Sequence, residues 1–331
     1  MSDDAAPEPI EALARSASAG DVRAMGEVGR RLLTGKQAPH LPQEGARLLA
    51  DAARLGDAAA AELTGVLLAG GFFAPQSWRL ALDYLQLAAE AGSERARAQL
   101  RLLAGAGAIG DWAGLRSGVD LAPWTRPPAV RTLHESPRVL VVPGFASAEI
   151  CDWIVDQARP RLARAEVQDP RTGLTIMGAT RTNRVANFEL TDTSVLNLLI
   201  QARIAAAAGL DPRTMEAFAV LHYAPGEQAS EHFDYLDPAV PAYAQDIARF
   251  GQRIATALLY LNDDYEGGET AFPELGLDHR GAKGDVLIFF SADPQGRPDP
   301  RTVHAGRPPL SGEKWVLSQF VRDRPMTPGS A

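Results

Sequence analysis

Tyr223-Ala224-Pro225-Gly226-Glu227-Gln228-Ala229-Ser230-Glu231-His232-Phe233-Asp234 is the stretch on which the reading of this chain turns. A Pro-Gly pair sits between two strand-like runs, so the chain is expected to reverse there. In a strand, residues two apart point to one face, so His232 and Asp234 aim an imidazole nitrogen and a carboxylate oxygen at one point. Two such groups hold a divalent ion poorly, and a third is expected from another strand. His304, in Thr302-Val303-His304-Ala305-Gly306, is the candidate. Two histidines and one carboxylate on one side of a metal leave other coordination positions open, the facial arrangement suited to non-haem Fe(II) and oxygen chemistry.

Around this run the chain reads mostly as strands: Ala217–Ala224, Glu231–Leu236, Arg253–Asn262, Gly284–Phe290, Thr302–Ala305 and Glu313–Arg322, punctuated by Gly and Pro. Upstream, Arg138–Val142 is a β-rich run. Ser147 has N-cap chemistry for a helix to about Ala158, and a second helix is expected near Thr193–Ala208. Helices followed by short strands predict a β-sandwich or open barrel buttressed by helices on one face. The stretch 235–252, with Pro238, Pro241 and Tyr243, is expected to form a lid over the metal.

Lys314 follows His304 across Arg307-Pro308-Pro309-Leu310-Ser311-Gly312, a strand-connecting turn. The fold-back sets its ammonium beside the histidine's strand. A buried cation is costly unless an anion pairs with it, so Lys314 implies an anionic ligand, such as a dicarboxylate chelating the metal at its other end. Tyr223, returned toward the metal strand by Pro225-Gly226, offers a phenol to the same carboxylate. In Arg253–Asn262, alternation makes Thr256 the single polar group on a face shared with Ile254, Leu258 and Tyr260.

The first hundred residues repeat. Gly20-Asp21 recurs as Gly56-Asp57 and Gly92-Ser93, a 36-residue period; Ala24, Ala60 and Ala96 keep phase, as do Gly35, Gly71 and Gly107. Apolar residues between these marks follow helical spacing, so each unit reads as two short antiparallel helices with Gly56 and Gly92 as C-caps. Residues 108–136 are broken by Gly and Pro and read as a linker, whose Trp112 and Trp124 are expected to dock.

The chain has 331 residues, 46% hydrophobic and 22% charged, with 33 Lys plus Arg against 41 Asp plus Glu and a net charge of −8. That length suits two domains, and the acidity argues against non-specific nucleic-acid binding. Cys151 is the single cysteine, which excludes an intrachain disulfide and Cys-rich zinc sites. The acidic N-terminus leads into no secretory apolar core, and no stretch matches a membrane span. A soluble, cytoplasmic protein is the expectation, with no membrane or nucleic-acid partner.

From about Arg138 to Pro325 the chain resembles the Fe(II)/2-oxoglutarate dioxygenases of the prolyl 4-hydroxylase type. The resemblance rests on His232-Phe233-Asp234, Gly267-Gly268-Glu269-Thr270-Ala271-Phe272-Pro273, Lys283-Gly284-Asp285, His304 and Gly312-Glu313-Lys314-Trp315. It implies an α+β multidomain chain whose oxygenase core is a double-stranded β-helix, or jelly roll. It implies that His232, Asp234 and His304 bind Fe(II) and that Lys314 pairs with the distal carboxylate of 2-oxoglutarate. Tyr223 and Thr256 look like secondary cosubstrate contacts, Trp315 like the aromatic beside the cosubstrate, and Arg181 like a substrate-side arginine. The implied reaction hydroxylates a C–H bond while 2-oxoglutarate is decarboxylated to succinate and CO2, with ascorbate as reductant. Residues 11–107 resemble the Sel-like repeats, whose members present a concave surface to protein partners.

The expected organisation is a disordered N-terminus (1–10), repeats (11–107), linker (108–136), oxygenase domain (137–325) and tail (326–331). Ala229 stands where prolyl hydroxylases of this type commonly carry a tyrosine lining the peptide site. That departure counts against peptidyl-proline in particular. On the resemblance and the repeats, a protein or peptide side chain recruited by the repeats is the leading expected substrate, with a small molecule or free amino acid as the alternative. A non-catalytic interaction protein on a degenerate oxygenase fold is the third reading.

Overall fold

A computed structural model describes residues 8–105, 107–165, 181–293 and 295–326, together with the backbone of 167–168 and 175–176. They divide into two compact units. One holds 8–124 with Thr191–Ile200, the other Thr125–Leu190 with Gln201–Met326.

The helical unit explains why Gly-Asp recurs. Its helices are α1 (Ile10–Ser18), α2 (Val22–Thr34), α3 (Pro42–Arg54), α4 (Ala58–Gly70), α5 (Trp78–Glu90) and α6 (Glu94–Ala104). After α1, α3 and α5 the chain closes with the same motif. Gly20, Gly56 and Gly92 adopt φ of +97°, +99° and +99°, a region open to glycine at little cost. At the middle repeat, Gly56 N–H donates to Ala53 O at 3.1 Å and Asp57 N–H to Ala52 O at 3.0 Å, satisfying carbonyls the helix end leaves free. The next residue then starts the following helix: Asp21 accepts from Ala24 N, Asp57 from Ala60 N and Ser93 from Ala96 N. One dipeptide thus ends one helix and caps the next. Ala52, Ala60, Ala88 and Ala96 are buried where the helices meet. The period slips once. Gly35 and Gly71 directly follow α2 and α4, but Gly107, in phase with them, does not follow α6, which stops at Ala104 with Gly105 next at φ +92°.

The second unit is built on two antiparallel sheets. Its main strands are β1 (Arg131–His134), β2 (Val139–Val142), β3 (Ala163–Arg164), β4 (Arg184–Asn187), β5 (Ala219–Tyr223), β6 (Ala229–His232), β7 (Arg253–Tyr260), β8 (Thr270–Phe272), β9 (Leu277–His279), β10 (Val286–Phe290), β11 (His304–Gly306) and β12 (Lys314–Arg322). The larger sheet runs β1-β2-β10-β7-β12-β5-β4-β3 and the smaller β9-β8-β11-β6. The central strand β7 is buried along nearly all its length, as a strand covered on both faces should be. Val139, Val141, Leu258, Tyr260, Leu287, Phe289 and Val316 of the larger sheet pack with Phe272 of the smaller. Phe272 and Phe289 meet edge to face at 5.1 Å. Burying each such ring contributes about 1.5–3 kcal/mol, so this layer holds the two sheets together as a jelly-roll core.

Several expectations shift. The segment 108–136 holds two short helices, α7 (Trp112–Ser117) and α8 (Ala122–Thr125), and then β1. Arg97 and Arg101 lie 5.3 and 4.8 Å from the Trp112 ring, and Trp124 is buried, so the tryptophans anchor what Gly and Pro composition read as linker. Ser147 caps α9 (Ala148–Ala158), and the next long helix is α10 (Val195–Ala208). Within 235–252 the chain forms a helix, α11 (Pro241–Phe250), that buries none of its residues. The strand expected over Glu231–Leu236 begins earlier and stops at His232, because its partner β11 ends opposite it with the pair His304–His232. The expected disordered terminus (1–10) and tail (326–331) lie largely outside the described residues; Ile10 already belongs to α1.

Candidate metal and cosubstrate site

His232 and His304 are direct cross-strand partners of β6 and β11, so their side chains leave the smaller sheet on one face. Their ring centroids lie 4.3 Å apart. Each ring is turned by its own strand: His232 Nδ1 lies 2.7 Å from Ser230 O and His304 Nδ1 3.1 Å from Thr302 O. A carbonyl only accepts, so each Nδ1 carries the proton and each Nε2 presents its lone pair. Asp234 completes the set from the bend after β6, with Oδ1 3.6 Å from His232 Nε2 and Oδ2 3.4 Å from His304 Nε2.

Strand alternation was the ground for pairing His232 with Asp234, yet Asp234 is not in a strand. Its carboxylate is oriented across the barrel by Thr256 of β7, whose hydroxyl donates to Oδ2 at 2.7 Å. Burial alone would raise the Asp234 carboxyl, but the two imidazoles and the Thr256 hydrogen bond outweigh it and hold it below the ordinary range. Burial pushes His304 down to about 4, leaving a neutral imidazole at neutral pH. The candidate ligand atoms of His232, Asp234 and His304 all lie within 4.8 Å of one another. His304 and Asp234 side chains are 6% and 7% exposed and that of His232 is 41%, so access is from the His232 side. Two imidazole Nε2 atoms and one carboxylate form a donor set that fits Fe(II).

Lys314, the first residue of β12, is buried and donates to Gly268 O at 2.7 Å. Among the described residues it has no ion pair, and burial depresses its pKa to about 8 against a distant pull from Glu269. An ammonium with one backbone acceptor and no carboxylate is unsatisfied in a way that an incoming carboxylate would correct. Its position needs Gly312, at φ +72°, where a Cβ would sit 2.5 Å from Asp264 O. Tyr223 lies directly across from Lys314 in register, its ring 5.5 Å from Nζ. Burial pushes the Tyr223 phenol up to about 12, keeping it a proton donor.

Not every expected residue arrives here. Trp315 follows Lys314 in β12 and points to the opposite face of the sheet. It stacks on His222 at 4.4 Å and donates from Nε1 to Glu313 at 3.3 Å, so it does not lie beside the cosubstrate site. Thr256, expected as a cosubstrate contact, spends its hydroxyl on Asp234. Arg181 forms an isolated bridge with Ala229, at the end of β6 away from His232, and its Nε donates to Asn183 Oδ1 at 3.1 Å.

Two residues absent from the expected set belong to the pocket. Tyr260 lies 5.6 Å from Lys314 Nζ, and its hydroxyl is 3.0 Å from Thr270 Oγ1. Tyr260 shares the Thr256 face of β7 and Thr270 sits in the Gly-Gly-Glu-Thr run. The signal was present, but an aromatic at a strand's core position reads as packing.

Comparison with known proteins agrees with this geometry. The profile of the 2OG-Fe(II) oxygenase superfamily matches residues 218–322. Prolyl 4-hydroxylase 1 of Arabidopsis thaliana is 36% identical over 205 residues, covering 57% of this chain and 70% of the relative. The prolyl 4-hydroxylase subunit alpha-1 of Gallus gallus is 34% identical over 190 residues, but the match spans only 36% of that longer protein. The crystal structure of a Sel1 repeat protein from Oxalobacter formigenes is similar over 27% of this chain and 68% of its own, at 30% identity and a TM-score of 0.26. The first two matches, with the His-Asp-His set that falls within the residues the family profile covers, assign this chain to the 2OG-Fe(II) oxygenase superfamily, as a dioxygenase of the prolyl 4-hydroxylase kind that works with Fe(II) and 2-oxoglutarate.

Proposed function

We propose that this chain hydroxylates a prolyl residue of a polypeptide, with His232, Asp234 and His304 holding Fe(II) and Lys314 holding the distal carboxylate of 2-oxoglutarate. The single observation that carries the site assignment is the convergence of candidate ligand atoms of two histidines and an aspartate within 4.8 Å of one another. Lys314, a buried ammonium with no ion pair among the described residues, lies on the strand paired with β7, whose Thr256 holds Asp234. Together the bound metal and cosubstrate activate dioxygen for insertion into a C–H bond.

The chain's own residues position these groups. Ser230 O and Thr302 O fix the imidazole tautomers, and Thr256 holds the Asp234 carboxylate. Tyr223, its phenol kept protonated by burial, would donate a hydrogen bond to the carboxylate that Lys314 would pair with. The apolar wall of Leu258, Phe272 and Phe289 keeps bulk water from the inner side of the site. The exposed edge of His232 faces the side from which substrate enters, and Arg181 and Ala229 stand at the far end of the same strand. Ascorbate would serve as the reductant for the iron that His232, Asp234 and His304 would hold. The helical unit, whose 36-residue recurrence is that of Sel-like repeats, recruits the macromolecular substrate.

The test is mass spectrometry of proline-containing peptides after incubation with the full chain, Fe(II), 2-oxoglutarate and ascorbate. A single added oxygen on proline, matched by succinate, is expected. Succinate matched by oxygen on a free amino acid and none on any peptide would move the substrate class to small molecules.

A further inference from the structure

The larger sheet has a second face, turned away from Lys314 and Tyr223, and one end of it is strongly basic. Arg164 of β3 stands directly opposite Arg184 of β4. Arg184 stands opposite His222 of β5, and His222 opposite Trp315 of β12. Residues in register share a face, so these four form one row across the sheet. Arg159, just past α9, lays its guanidinium 4.9 Å from the Trp315 ring at the same place.

Arg159, Arg164 and Arg184 are exposed, and among the described residues none makes an ion pair. The nearby acid is Glu313, which accepts from Trp315 Nε1 and lies 3.2 Å from His222 Nε2. Like charges directly opposite on neighbouring strands are destabilising, and here two guanidinium groups stand opposite each other on the last two strands of the sheet, as the described residues form it, in a chain of net charge −8. Elsewhere the chain matches arginines with acids, as where Glu216 takes both Arg253 and Arg322.

The row connects to the site along the backbone. From His232 the strand runs back to Ala229, which bridges Arg181, and Arg184 lies three residues further on. That path is at most about 25 Å, the reach of roughly eight residues of extended peptide.

We propose that Arg164 and Arg184, flanked by Arg159, dock an acidic stretch of the polypeptide substrate, lying within that reach of the residue to be hydroxylated. This deepens the reading given above and rests on it for the polypeptide. A nucleic acid fits the surface less well. The chain as a whole is acidic, and the rings beside the arginines, Trp315 and His222, are buried and unavailable for base stacking.

The test is fluorescence anisotropy with the full chain and labelled proline-centred peptides long enough to span the path. One carries Asp and Glu distal to the proline, one carries Asn and Gln in their place, and one carries Lys. The acidic peptide is expected to bind about tenfold tighter than its neutral counterpart, as two exposed charge pairs allow. The preference should fade between roughly 0.05 and 0.5 M salt. In the Arg164→Glu/Arg184→Glu variant, with its melting temperature confirming the fold, the preference should invert toward the Lys peptide. Equal binding of the three peptides to the unaltered chain would overturn the proposal. So would an unchanged acidic preference in the variant, or a single-stranded RNA oligonucleotide that outcompetes the acidic peptide. Binding is read without turnover, so failure to hydroxylate these peptides would count against prolyl hydroxylation and not against this surface.

Discussion

Thr256 donates its hydroxyl to Asp234 Oδ2 at 2.7 Å, linking the central strand of the larger sheet to a carboxylate that lies beyond the end of its own strand. That hydrogen bond replaces the backbone pairing that Asp234 lacks. Thr256→Val keeps the volume and removes the donor. The expected outcome is a folded protein whose affinity for Fe(II), or for Mn(II) as a probe, falls about tenfold, the usual scale for losing a group that orients a ligand. Metal titration monitored by calorimetry checks it; unaltered affinity would show that the bend alone positions Asp234.

Lys314 is a buried cation without an ion pair among the described residues, so its charge is left uncompensated by them when no cosubstrate is bound. Lys314→Met should therefore raise thermal stability at pH 7 by an amount on the order of 2 kcal/mol, while cosubstrate use is lost. Melting temperature and succinate production, measured on one preparation, check both halves. A variant that melts lower than the parent would mean the ammonium is already neutralised.

The same group sets a pH dependence. Burial depresses Lys314 to about 8 in the folded chain from the ordinary 10.5. The folded state thus binds fewer protons than the unfolded state between these values, and this group's contribution to stability rises as pH climbs through that window. Cosubstrate binding moves the other way, since the carboxylate needs the charged ammonium. The KM for 2-oxoglutarate is expected to rise above pH of about 8, approaching tenfold per pH unit. A flat KM between pH 7 and pH 9.5, conditions chosen to bracket that range, would remove Lys314 from cosubstrate recognition.

Trp315 provides a contrast with its neighbour. It packs on His222 on the far face of the sheet. Trp315→Leu should cost about 2–3 kcal/mol of stability through lost packing and leave the KM for 2-oxoglutarate where it was. Denaturant unfolding and steady-state kinetics separate the two, and a large rise in KM would return Trp315 to the cosubstrate site.

In the helical unit, an added Cβ at Gly56 meets nothing within 4 Å, but the backbone stands at φ +99°. Gly56→Ala should then cost about 1–2 kcal/mol from conformation alone. Leu85→Ala, at a fully buried position, should cost about 2–5 kcal/mol from packing. Chemical denaturation of the full chain, followed by circular dichroism at helical wavelengths, reads both. Equal losses would mean that the turn is also packed.

What one-dimensional order carries here is what local chemistry dictates. The Gly-Asp recurrence marks helix ends because only glycine takes the reversed φ cheaply and only a short oxygen-bearing side chain reaches the next helix's free N–H. His232, His304 and Lys314 were legible from strand-like runs and a turn of fixed length, whereas Asp234, legible by its spacing from His232, lies past the end of β6 and is oriented by Thr256 of a distant strand. The remainder depends on neighbours distant in sequence. Where β6 ends is decided by where β11 stops pairing, and Thr256 meets the carboxylate rather than the cosubstrate because β7 passes behind that end. Tyr260 and Thr270 become pocket residues, and Arg164 and Arg184 become a pair, only once separate strands lie side by side. Periodicity states which face a residue takes; what waits on that face is settled by long-range strand pairing.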